Sequence, residues 1–416
     1  MGVYEIVGGR PLSGTVCIHG AKNSVLPILA ATLVTEGTCR IENCPNITDV
    51  DTALEILQCL GCLVVRGRNW VEVNTYPACA WEIPARLMKK MRAGVIFLGA
   101  LLTRFGRARI YHPGGCPLGE RPIDLHLRGL SHMGVACERE GEVLCCRGEA
   151  LRSCIFALPF PSVGATENLI LAALAAQGEV VLCNCAREPE ISDLVGFLQA
   201  CGASIAGRES SVLRVRGGKR LHGCCYSVMP DRMEAATYLA AAAATRGALC
   251  LKNVRPRHFA SVTELLRLGG CIVETEKNEI YLECNSLQAV SPIRTAPYDG
   301  FPTDAQAPVM AAMATARGVT VFEERIFENR YGHVPALRAM GADICTAGAY
   351  AVVRGGKPLH GARVEATDLR GGAAMVVAAL CAEGKSHIHS TEHMERGYED
   401  FAENLRACGA EITKEG

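Results

Sequence analysis

A unit of roughly 70 residues occurs six times in this 416-residue chain, and that repeat limits the possible folds more than any other feature. Each copy has an alanine-rich apolar segment of helical length, a strand-like segment, an amphipathic segment and further strand-like segments. A glycine follows both helical segments, because the position after a helix end usually requires a positive φ. These glycines are Gly37, Gly106, Gly178, Gly247, Gly318 and Gly384 after the apolar segments, and Gly61, Gly134, Gly202, Gly269, Gly341 and Gly409 after the amphipathic ones.

The repeat predicts an α/β protein with two domains. Alanine-rich helices with few charges are typical of helices that are buried on most of their surface. Six of them cannot share one core in so long a chain, so we expect two groups of three units. We predict a first domain from residues 1–21 plus 230–416, with the N-terminal strands included, and a second from residues 22–229.

The composition excludes several classes of protein. Lysine plus arginine equal aspartate plus glutamate at 43 each, which argues against a general binder of nucleic acid or membrane surfaces. The longest apolar runs are about ten residues, and no basic segment followed by an apolar one opens the chain, so we expect a cytoplasmic protein. Its 22 cysteines should then stay reduced, and most occupy positions suited to small apolar residues.

Basic residues stand at the start of three apolar segments: Lys22, Arg92 and Arg370. A cation at a helix N-terminus faces the positive end of the helix dipole and is unfavourable there. An anion bound at the same helix end would be stabilised by the cation and by the helix dipole together. We therefore predict an anion site with several cations, in a cleft between the two domains. The alternative is ordinary capping with solvated charges, and capping suffices for Asp231.

One cysteine lies in a segment that cannot be regular helix or strand, PGGCPLGERP. Cys116 there could be exposed, and nearby Arg121 would favour its thiolate, so it could act as a nucleophile or a general acid. A structural cysteine in a loop explains the same residues equally well. Cys59 and Cys62 form a CxxC pair without a second pair, and no nucleotide-binding glycine motif occurs, so we expect neither a metal nor a cofactor.

Eight segments, in this order along the chain, resemble the UDP-N-acetylglucosamine 1-carboxyvinyltransferases, a family of enolpyruvyl transferases of peptidoglycan precursor synthesis. They are GAKNSVLP, PGGCPLGERPIDLHL, PSVGATEN, AREPEI, FPTDAQA, FENRYGHV, ATDLRGGAA and RGYED. The resemblance spans essentially the whole chain. It implies two inside-out α/β barrels with the active site in the cleft between them. It also implies two small-molecule substrates, phosphoenolpyruvate and UDP-N-acetylglucosamine.

The same resemblance implies roles for individual residues. Cys116 matches the acid that protonates the methylene group of phosphoenolpyruvate, in a loop expected to close over the ligands, and Asp304 matches the base at the sugar hydroxyl. Lys22 and Arg396 complete the implied catalytic set. The implied contacts to phosphoenolpyruvate are Lys22, Asn23, Arg121, Asp368, Arg370 and Arg396. Those to UDP-N-acetylglucosamine are Asn23, Arg92, Arg121, Pro122, Ile123, Asp124, Leu125, Ser162, Val163, Gly164, Asp304 and Ile326.

One departure and three alternatives accompany this interpretation. Phe160 stands where some members of the family have lysine, which puts an expected diphosphate contact in doubt. The alternatives are the sister transferase that acts on shikimate 3-phosphate, a catalytically silent relative that binds the UDP-sugar, and a scaffold without a ligand. The Cys116 loop argues against the first, the retained Cys116 and Asp304 against the second, and the charged helix N-termini against the third.

Overall fold

The computed structural model describes residues 2–111 and 123–415. Residues 2–19 and 230–415 form one compact unit, called unit 1 below. Residues 20–111 and 123–229 form the other, unit 2. Each unit buries an apolar core of its own. Among the described residues, no helix has the length and apolar character needed to cross a membrane.

Helices and strands are interspersed along the described residues. The α-helices are α1 (Lys22–Thr32), α2 (Thr48–Cys59), α3 (Ala85–Lys90), α4 (Phe97–Phe105), α5 (Asp124–His132), α6 (Val163–Ala173), α7 (Pro189–Ala200), α8 (Arg232–Thr245), α9 (Ala260–Leu268), α10 (Thr303–Ala314), α11 (Val334–Ala339), α12 (Leu369–Cys381), α13 (Glu392–Glu395) and α14 (Phe401–Ala407), with 3₁₀ turns at Arg92–Ile96 and Pro256–Phe259.

The strands complete the description of the elements. They are β1 (Val3–Val7), β2 (Ser13–Cys17), β3 (Thr35–Glu36), β4 (Thr38–Glu42), β5 (Leu63–Arg66), β6 (Trp70–Asn74), β7 (Arg107–Tyr111), β8 (Ala136–Glu140), β9 (Val143–Arg147), β10 (Arg152–Ala157), β11 (Gln177–Cys183), β12 (Ser204–Ala206), β13 (Val212–Arg216), β14 (Leu221–His222), β15 (Cys225–Ser227), β16 (Ala248–Lys252), β17 (Ile272–Thr275), β18 (Glu279–Glu283), β19 (Ile293–Arg294), β20 (Val319–Glu323), β21 (Asp343–Ala347), β22 (Tyr350–Arg354), β23 (Arg363–Glu365), β24 (Lys385–His389) and β25 (Glu411–Glu415).

One sheet plan recurs through both units. The strand after a buried helix pairs in parallel with an edge strand and antiparallel with a β-hairpin, as in the orders β15-β4-β6-β5 and β19-β20-β22-β21. Strand β1 takes the third place in the last sheet, where Ile6 pairs with Ser386 of β24 and with Ile412 of β25. Strand β2 is the parallel edge beside β16. The N-terminal strands therefore complete two sheets of unit 1.

The alanine-rich segments are buried helices, which confirms that part of the prediction. Every residue of α8 is buried, and in unit 1 the helices α8, α10 and α12 all contact one another. In unit 2, α4 contacts both α1 and α6. Small side chains allow helix axes to approach closely, so these helices fill the centre of each core. The N-termini of α1, α6, α10 and α12 carry eight of the candidate site residues.

The glycine prediction is correct for the amphipathic helices and partly wrong for the buried ones. A glycine with φ between 90° and 97° follows the C-cap of each amphipathic helix, although after α9 it is Gly270 and not Gly269, whose φ is −74°. Among the buried helices, only α4 ends on its predicted glycine, Gly106. Four of the other predicted glycines lie three to five residues beyond the helix, at or just before the start of a strand: Gly37, Gly178, Gly318 and Gly384.

Arg246, and not Gly247, occupies the left-handed position at the end of α8, with φ 57°. Its guanidinium Nη1 donates to the carbonyls of Ala243 at 2.7 Å and Ala244 at 3.0 Å. Its Nη2 donates to the carbonyl of Thr315, at the end of α10, at 2.7 Å. A cation at two helix C-termini is favourable, which offsets the strain of a left-handed non-glycine residue.

We predict that Gly270→Ala destabilises the protein by about 1–2 kcal/mol more than Gly269→Ala, because only Gly270 needs the left-handed region. Each new methyl group would meet neighbouring atoms at similar distances, 3.3 Å at Gly270 and 3.1 Å at Gly269. Urea unfolding of the two variants measures the difference. Equal losses of stability would contradict this assignment of the helix end.

Candidate active site

The Asp304 carboxylate is held by two buried arginines in unit 1. Asp304 lies in the first turn of α10, and its side chain is 30% exposed. Its Oδ1 accepts a hydrogen bond from Arg330 Nη2 at 2.8 Å, and its Oδ2 accepts from Arg370 Nη2 at 3.2 Å and Nε at 3.3 Å. The two arginine side chains are only 3–4% exposed. Two adjacent cations favour the ionised carboxylate.

A second layer of hydrogen bonds fixes the arginines. Arg370 Nη1 donates to Tyr398 Oη at 2.9 Å, and Tyr398 Oη lies 2.8 Å from Thr237 Oγ1 on α8. Arg330 Nη2 also donates to the carbonyl of Thr303 at 3.2 Å. Burial acts to lower the pKa of Arg370, but Tyr398 and Asp304 outweigh it and raise that pKa above its usual value. The carboxylate is therefore connected to all three buried helices of unit 1.

Asp368 caps the helix that carries Arg370. Its Oδ1 accepts from the backbone N–H groups of Arg370 at 3.0 Å and Gly371 at 3.1 Å. Removal of such a cap typically costs about 0.5–2 kcal/mol. The described contacts thus give Asp368 a positioning role for Arg370, in addition to any contact with a ligand.

Lys22 is paired with a carboxylate in unit 2. It is the first residue of α1, and its Nζ lies 2.6 Å from Asp49 Oδ2 in α2. The two side chains are 12% and 5% exposed. Asp49 offsets the unfavourable interaction between the Lys22 cation and the helix dipole. Lys22 is therefore not a solvated surface charge, which was the alternative to an anion site in the sequence analysis. The neighbouring Asn23 is exposed.

Two further predicted segments lie close together in unit 2. Residues 123–125 form the start of α5, which packs against α6, and residues 162–164 form the start of α6. Ser162 caps α6 by accepting from the N–H of Ala165 at 3.4 Å. His126 lies between the segments, with its Nδ1 2.9 Å from Asn168 Nδ2. Because that amide also donates to the carbonyl of Val95 at 3.0 Å, the imidazole orientation is fixed.

The remaining predicted residues are single positions. Arg92 begins a 3₁₀ turn, and Ile326 is half-buried and donates its N–H to Glu324 Oε1 at 2.8 Å. Arg396 follows the short helix α13 and is half-buried. Phe160 is 42% exposed and precedes α6. Cys116, Arg121 and Pro122 lie outside the described residues.

Sequence reasoning missed three residues that organise these sites: Asp49, Arg330 and Tyr398. Arg330 and Tyr398 occur in FENRYGHV and RGYED, two of the segments that carry the family resemblance. Neither segment indicates that its residue reaches Asp304 or Arg370. Asp49 lies in a segment without a signal, since an acidic residue in the first turn of a helix is common for dipole reasons alone.

His19, Glu399 and Asp400 form a group of possible metal ligands in which the histidine is paired with Glu234. Atoms of His19, Glu399 and Asp400 lie within 4.8 Å of one another. The Nδ1 of His19 is 2.9 Å from Oε1 of the buried Glu234. Burial opposes protonation of His19, but Glu234 outweighs it and raises the pKa of His19 to about 9. Because the Nδ1 of His19 is already engaged by Glu234, we describe this group as an ion-pair cluster.

Comparisons with known proteins connect this geometry to one family. A sequence profile described as EPSP synthase (3-phosphoshikimate 1-carboxyvinyltransferase) matches residues 6–405. UDP-N-acetylglucosamine 1-carboxyvinyltransferase 2 of Caldanaerobacter subterraneus subsp. tengcongensis is 44% identical over 415 residues and covers 100% of both chains. The enzyme from Nitratidesulfovibrio vulgaris strain Miyazaki F, named UDP-N-acetylglucosamine 1-carboxyvinyltransferase, is 44% identical over 98% of both chains.

Solved structures share the fold over the full length. The enolpyruvyl transferase NikO from Streptomyces tendae has a TM-score of 0.90 and 26% identity, over 99% of this chain and 98% of NikO. EPSP synthase from Acinetobacter baumannii has a TM-score of 0.76 and 20% identity over 100% of both chains, which shows the fold alone.

The His19–Glu234 pair predicts a loss of stability at alkaline pH. The folded-state pKa of about 9 lies above the ordinary 6.5, so the stabilisation is fully present below pH 6.5 and is lost as the pH rises through 9. Relative to His19→Gln, the wild-type free energy of unfolding should fall by about 1–3 kcal/mol between pH 6.5 and 9.5. Denaturant unfolding at both pH values tests this. The exposed His360→Gln is the control, and a parallel pH dependence in His19→Gln would refute the assignment.

Proposed function

Because the chain belongs to the enolpyruvyl transferase family, we propose that it transfers the enolpyruvyl group of phosphoenolpyruvate to the 3′-hydroxyl of UDP-N-acetylglucosamine and releases phosphate. The observation that carries this proposal is the full-length identity of 44% to enzymes named for that reaction. The product would be UDP-N-acetylglucosamine enolpyruvate, a precursor of peptidoglycan.

The proposed chemistry is an addition followed by an elimination. The sugar hydroxyl oxygen bonds to C2 of phosphoenolpyruvate while C3 gains a proton, which gives a tetrahedral intermediate. Loss of a proton from C3 and cleavage of the C2–O bond to phosphate then restore the double bond. In this scheme Asp304 accepts the hydroxyl proton and Cys116 supplies the proton to C3. Two guanidinium groups hold the Asp304 carboxylate in place, so it is well oriented to accept the hydroxyl proton. The positive charges of these two groups also favour its unprotonated form.

The cations have a matching task in the proposal. Phosphoenolpyruvate carries a phosphate and a carboxylate, and both need neutralising when the site excludes water. Lys22, Arg121, Arg370 and Arg396, with Asn23 and Asp368 beside them, would surround these groups. Since Lys22 is bound to Asp49, phosphoenolpyruvate would have to compete with that carboxylate or share the ammonium with it. The proposal requires the N-termini of α1, α10 and α12 to face one cleft between the units, within the inside-out barrel arrangement predicted from the resemblance.

The nucleotide sugar would contact elements of unit 2. Residues 123–125 and 162–164 lie close together there, as a continuous ligand surface requires. With Pro122, Arg92 and Arg121 they would bind the uridine diphosphate, while Asp304 and Ile326 of unit 1 would meet the sugar. Phe160 offers an exposed aromatic ring in place of the ammonium found in some relatives. We infer that the diphosphate depends more on the remaining cations in this chain.

A second candidate is transfer of the same group to shikimate 3-phosphate. The matching family profile carries that description, and the EPSP synthase structure has the same fold. That likeness is at 20% identity, whereas the UDP-sugar enzymes match at 44%. The acceptor therefore distinguishes the two candidates.

We expect phosphate release from phosphoenolpyruvate with UDP-N-acetylglucosamine as acceptor and none with shikimate 3-phosphate. A phosphate assay with each acceptor in turn measures this. Cys116→Ala should abolish release, because no acid remains to protonate C3, whereas Cys345→Ser at an exposed position in unit 1 should not change it. Phosphate release with shikimate 3-phosphate and not with UDP-N-acetylglucosamine would support the second candidate function. Binding of the UDP-sugar without release would indicate a silent relative.

We expect Asp304→Asn to lower kcat by about 10²–10⁴-fold, the usual effect of losing a general base. The amide keeps the shape but cannot accept the proton. Steady-state kinetics measure the effect, with Asp343→Asn on β21 as the control, because Asp343 is a half-buried carboxylate that is paired with Arg354 and Lys357 and lies outside the candidate site. Thermal unfolding of both variants separates lost catalysis from lost folding, since Asp304→Asn also leaves two buried guanidinium groups less neutralised. Unchanged kcat would remove Asp304 from the mechanism.

A further inference from the structure

The segment of residues 324–330 connects the proposed base to a proposed contact of the nucleotide sugar. It lies between β20 and α11 and forms neither helix nor strand. Arg330, at its end, donates to the Asp304 carboxylate, and Ile326 is expected to meet the sugar. Since both residues depend on the conformation of this segment, whatever fixes the segment also fixes the site in unit 1. The contacts of Glu324 account for much of that conformation.

The carboxylate of Glu324 is buried and accepts three hydrogen bonds. Its Oε1 accepts from the backbone N–H groups of Ile326 at 2.8 Å and Phe327 at 3.1 Å. Its Oε2 accepts from the hydroxyl of Thr303 at 3.0 Å. A buried carboxylate without such partners would be strongly destabilising, so these bonds determine where the side chain lies. One side chain thus bonds the segment to the first residue of α10.

The bond to Thr303 holds the helix end that carries the proposed base. The N-cap residue of α10 is Pro302, whose side chain makes no capping hydrogen bond. The Glu324 carboxylate instead bonds to the first helical residue, and an anion near a helix N-terminus is favourable. Asp304 follows Thr303 directly, so the position of its carboxylate depends on how this helix end is held.

Arg330 makes a second connection between the segment and α10. Its Nη2 donates to the carbonyl of Thr303 at 3.2 Å and to Oδ1 of Asp304 at 2.8 Å. Its guanidinium carbon lies 5.8 Å from the centre of the Phe327 ring, which is within the range of a cation–π contact. Thr303 therefore donates to one end of the segment and accepts from the other. These bonds close a ring of contacts around the proposed base.

The main chain at Glu324 is bonded to neighbouring strands. The N–H of Glu324 donates to the carbonyl of Ala349, between β21 and β22, at 2.8 Å. The N–H of Arg325 donates to the hydroxyl of Thr295, which follows β19, at 2.8 Å. The carboxylate therefore extends from a fixed position beside the sheet.

We propose that Glu324 is a positioning residue that couples the proposed base to the nucleotide-sugar contact. It holds Ile326 through its N–H group and α10 through the hydroxyl of Thr303, so one carboxylate places both. Its effect is indirect, because it acts through these two residues and not through contact with the substrates. The inference rests on the proposed function, which supplies the base and the sugar.

Neighbouring positions provide matched variants. Glu323 carries the adjacent carboxylate, which is paired with Arg294 at 2.9 Å and Arg325 at 2.8 Å. Glu323→Ala therefore removes an acidic residue from the same place in the chain and leaves the bonds of Glu324 intact. Thr303→Ser keeps the hydroxyl, whereas Thr303→Val removes it at nearly constant shape. Glu324→Gln keeps a side-chain oxygen for the two backbone N–H groups.

Steady-state kinetics with UDP-N-acetylglucosamine as the varied substrate test the proposal. Glu324→Ala should lower kcat and raise KM for the UDP-sugar, so that kcat/KM falls by about 10–100-fold, as misplaced groups do. Thr303→Val should lower kcat and leave that KM nearly unchanged, because Ile326 stays bonded to Glu324. Glu324→Gln and Thr303→Ser should retain most of the wild-type kcat, and Glu323→Ala should match the wild type.

The opposite results would overturn the proposal. These are unchanged kcat and KM in a folded Glu324→Ala variant, an equal loss in Glu323→Ala, or no recovery in Thr303→Ser relative to Thr303→Val. Thr303 is half-buried, so its two variants decide the outcome if Glu324→Ala does not fold.

A second measurement separates this proposal from the proposed function. Amide hydrogen exchange in the peptide that contains Ile326 and Phe327 should be faster in Glu324→Ala than in the wild type, and nearly unchanged in Glu324→Gln. A wild-type protein without transferase activity would reject the proposed function. Unchanged exchange in Glu324→Ala would reject the positioning role of Glu324, whatever the activity.

Discussion

The ion pairs of Asp304 with Arg330 and Arg370 are the interactions on which the candidate site of unit 1 depends. Burying two guanidinium groups is expensive unless a carboxylate and further hydrogen bonds compensate them. Here one carboxylate accepts from both, Tyr398 accepts from Arg370, and the carbonyl of Thr303 accepts from Arg330. Removing Asp304 would leave two buried guanidinium groups without a counter-charge, and the hydrogen bonds from both arginines fix the orientation of the carboxylate. A rigid, ionised carboxylate with 30% of its surface exposed is suited to accept a proton from a bound hydroxyl.

The repeated fold explains why such groups collect at helix N-termini. A helix that is buried along its length can present polar residues only at its ends, where unpaired N–H groups and the dipole favour anions. In unit 1 the N-termini of α8, α10 and α12 carry Asp231, Asp304 and Asp368 with Arg370. In unit 2 the N-terminus of α1 carries Lys22 bound to Asp49. Two of the cations predicted to await an anion, Lys22 and Arg370, are thus already paired with carboxylates of the chain.

The predictions from the sequence are correct for features that depend on neighbouring residues. They are wrong for features that depend on contacts between distant segments of the chain. Buried helices and the glycines after amphipathic helices follow from composition and φ preference. A rule based on φ preference cannot distinguish Gly269 from its neighbour Gly270. Packing in the folded protein determines which of the two takes the left-handed position after α9. Arg246 replaces a glycine because Thr315, 69 residues away, completes its hydrogen bonds.

The candidate site shows the same division. Asp304, Arg370 and Lys22 were identified from family motifs and from charge at helix starts. Their partners Arg330, Tyr398 and Asp49 were not, because no local pattern encodes a contact between distant segments.

The central claim is that the two buried arginines keep Asp304 ionised so that it can act as the base. The most direct test is the acid limb of the pH profile of kcat/KM for UDP-N-acetylglucosamine, compared between the wild type, Arg330→Gln and Arg330→Lys. Loss of one cation should move the midpoint of that limb in Arg330→Gln to higher pH by about one unit or more, and Arg330→Lys should stay close to the wild type. An acid limb that does not move in a folded Arg330→Gln variant would contradict the account.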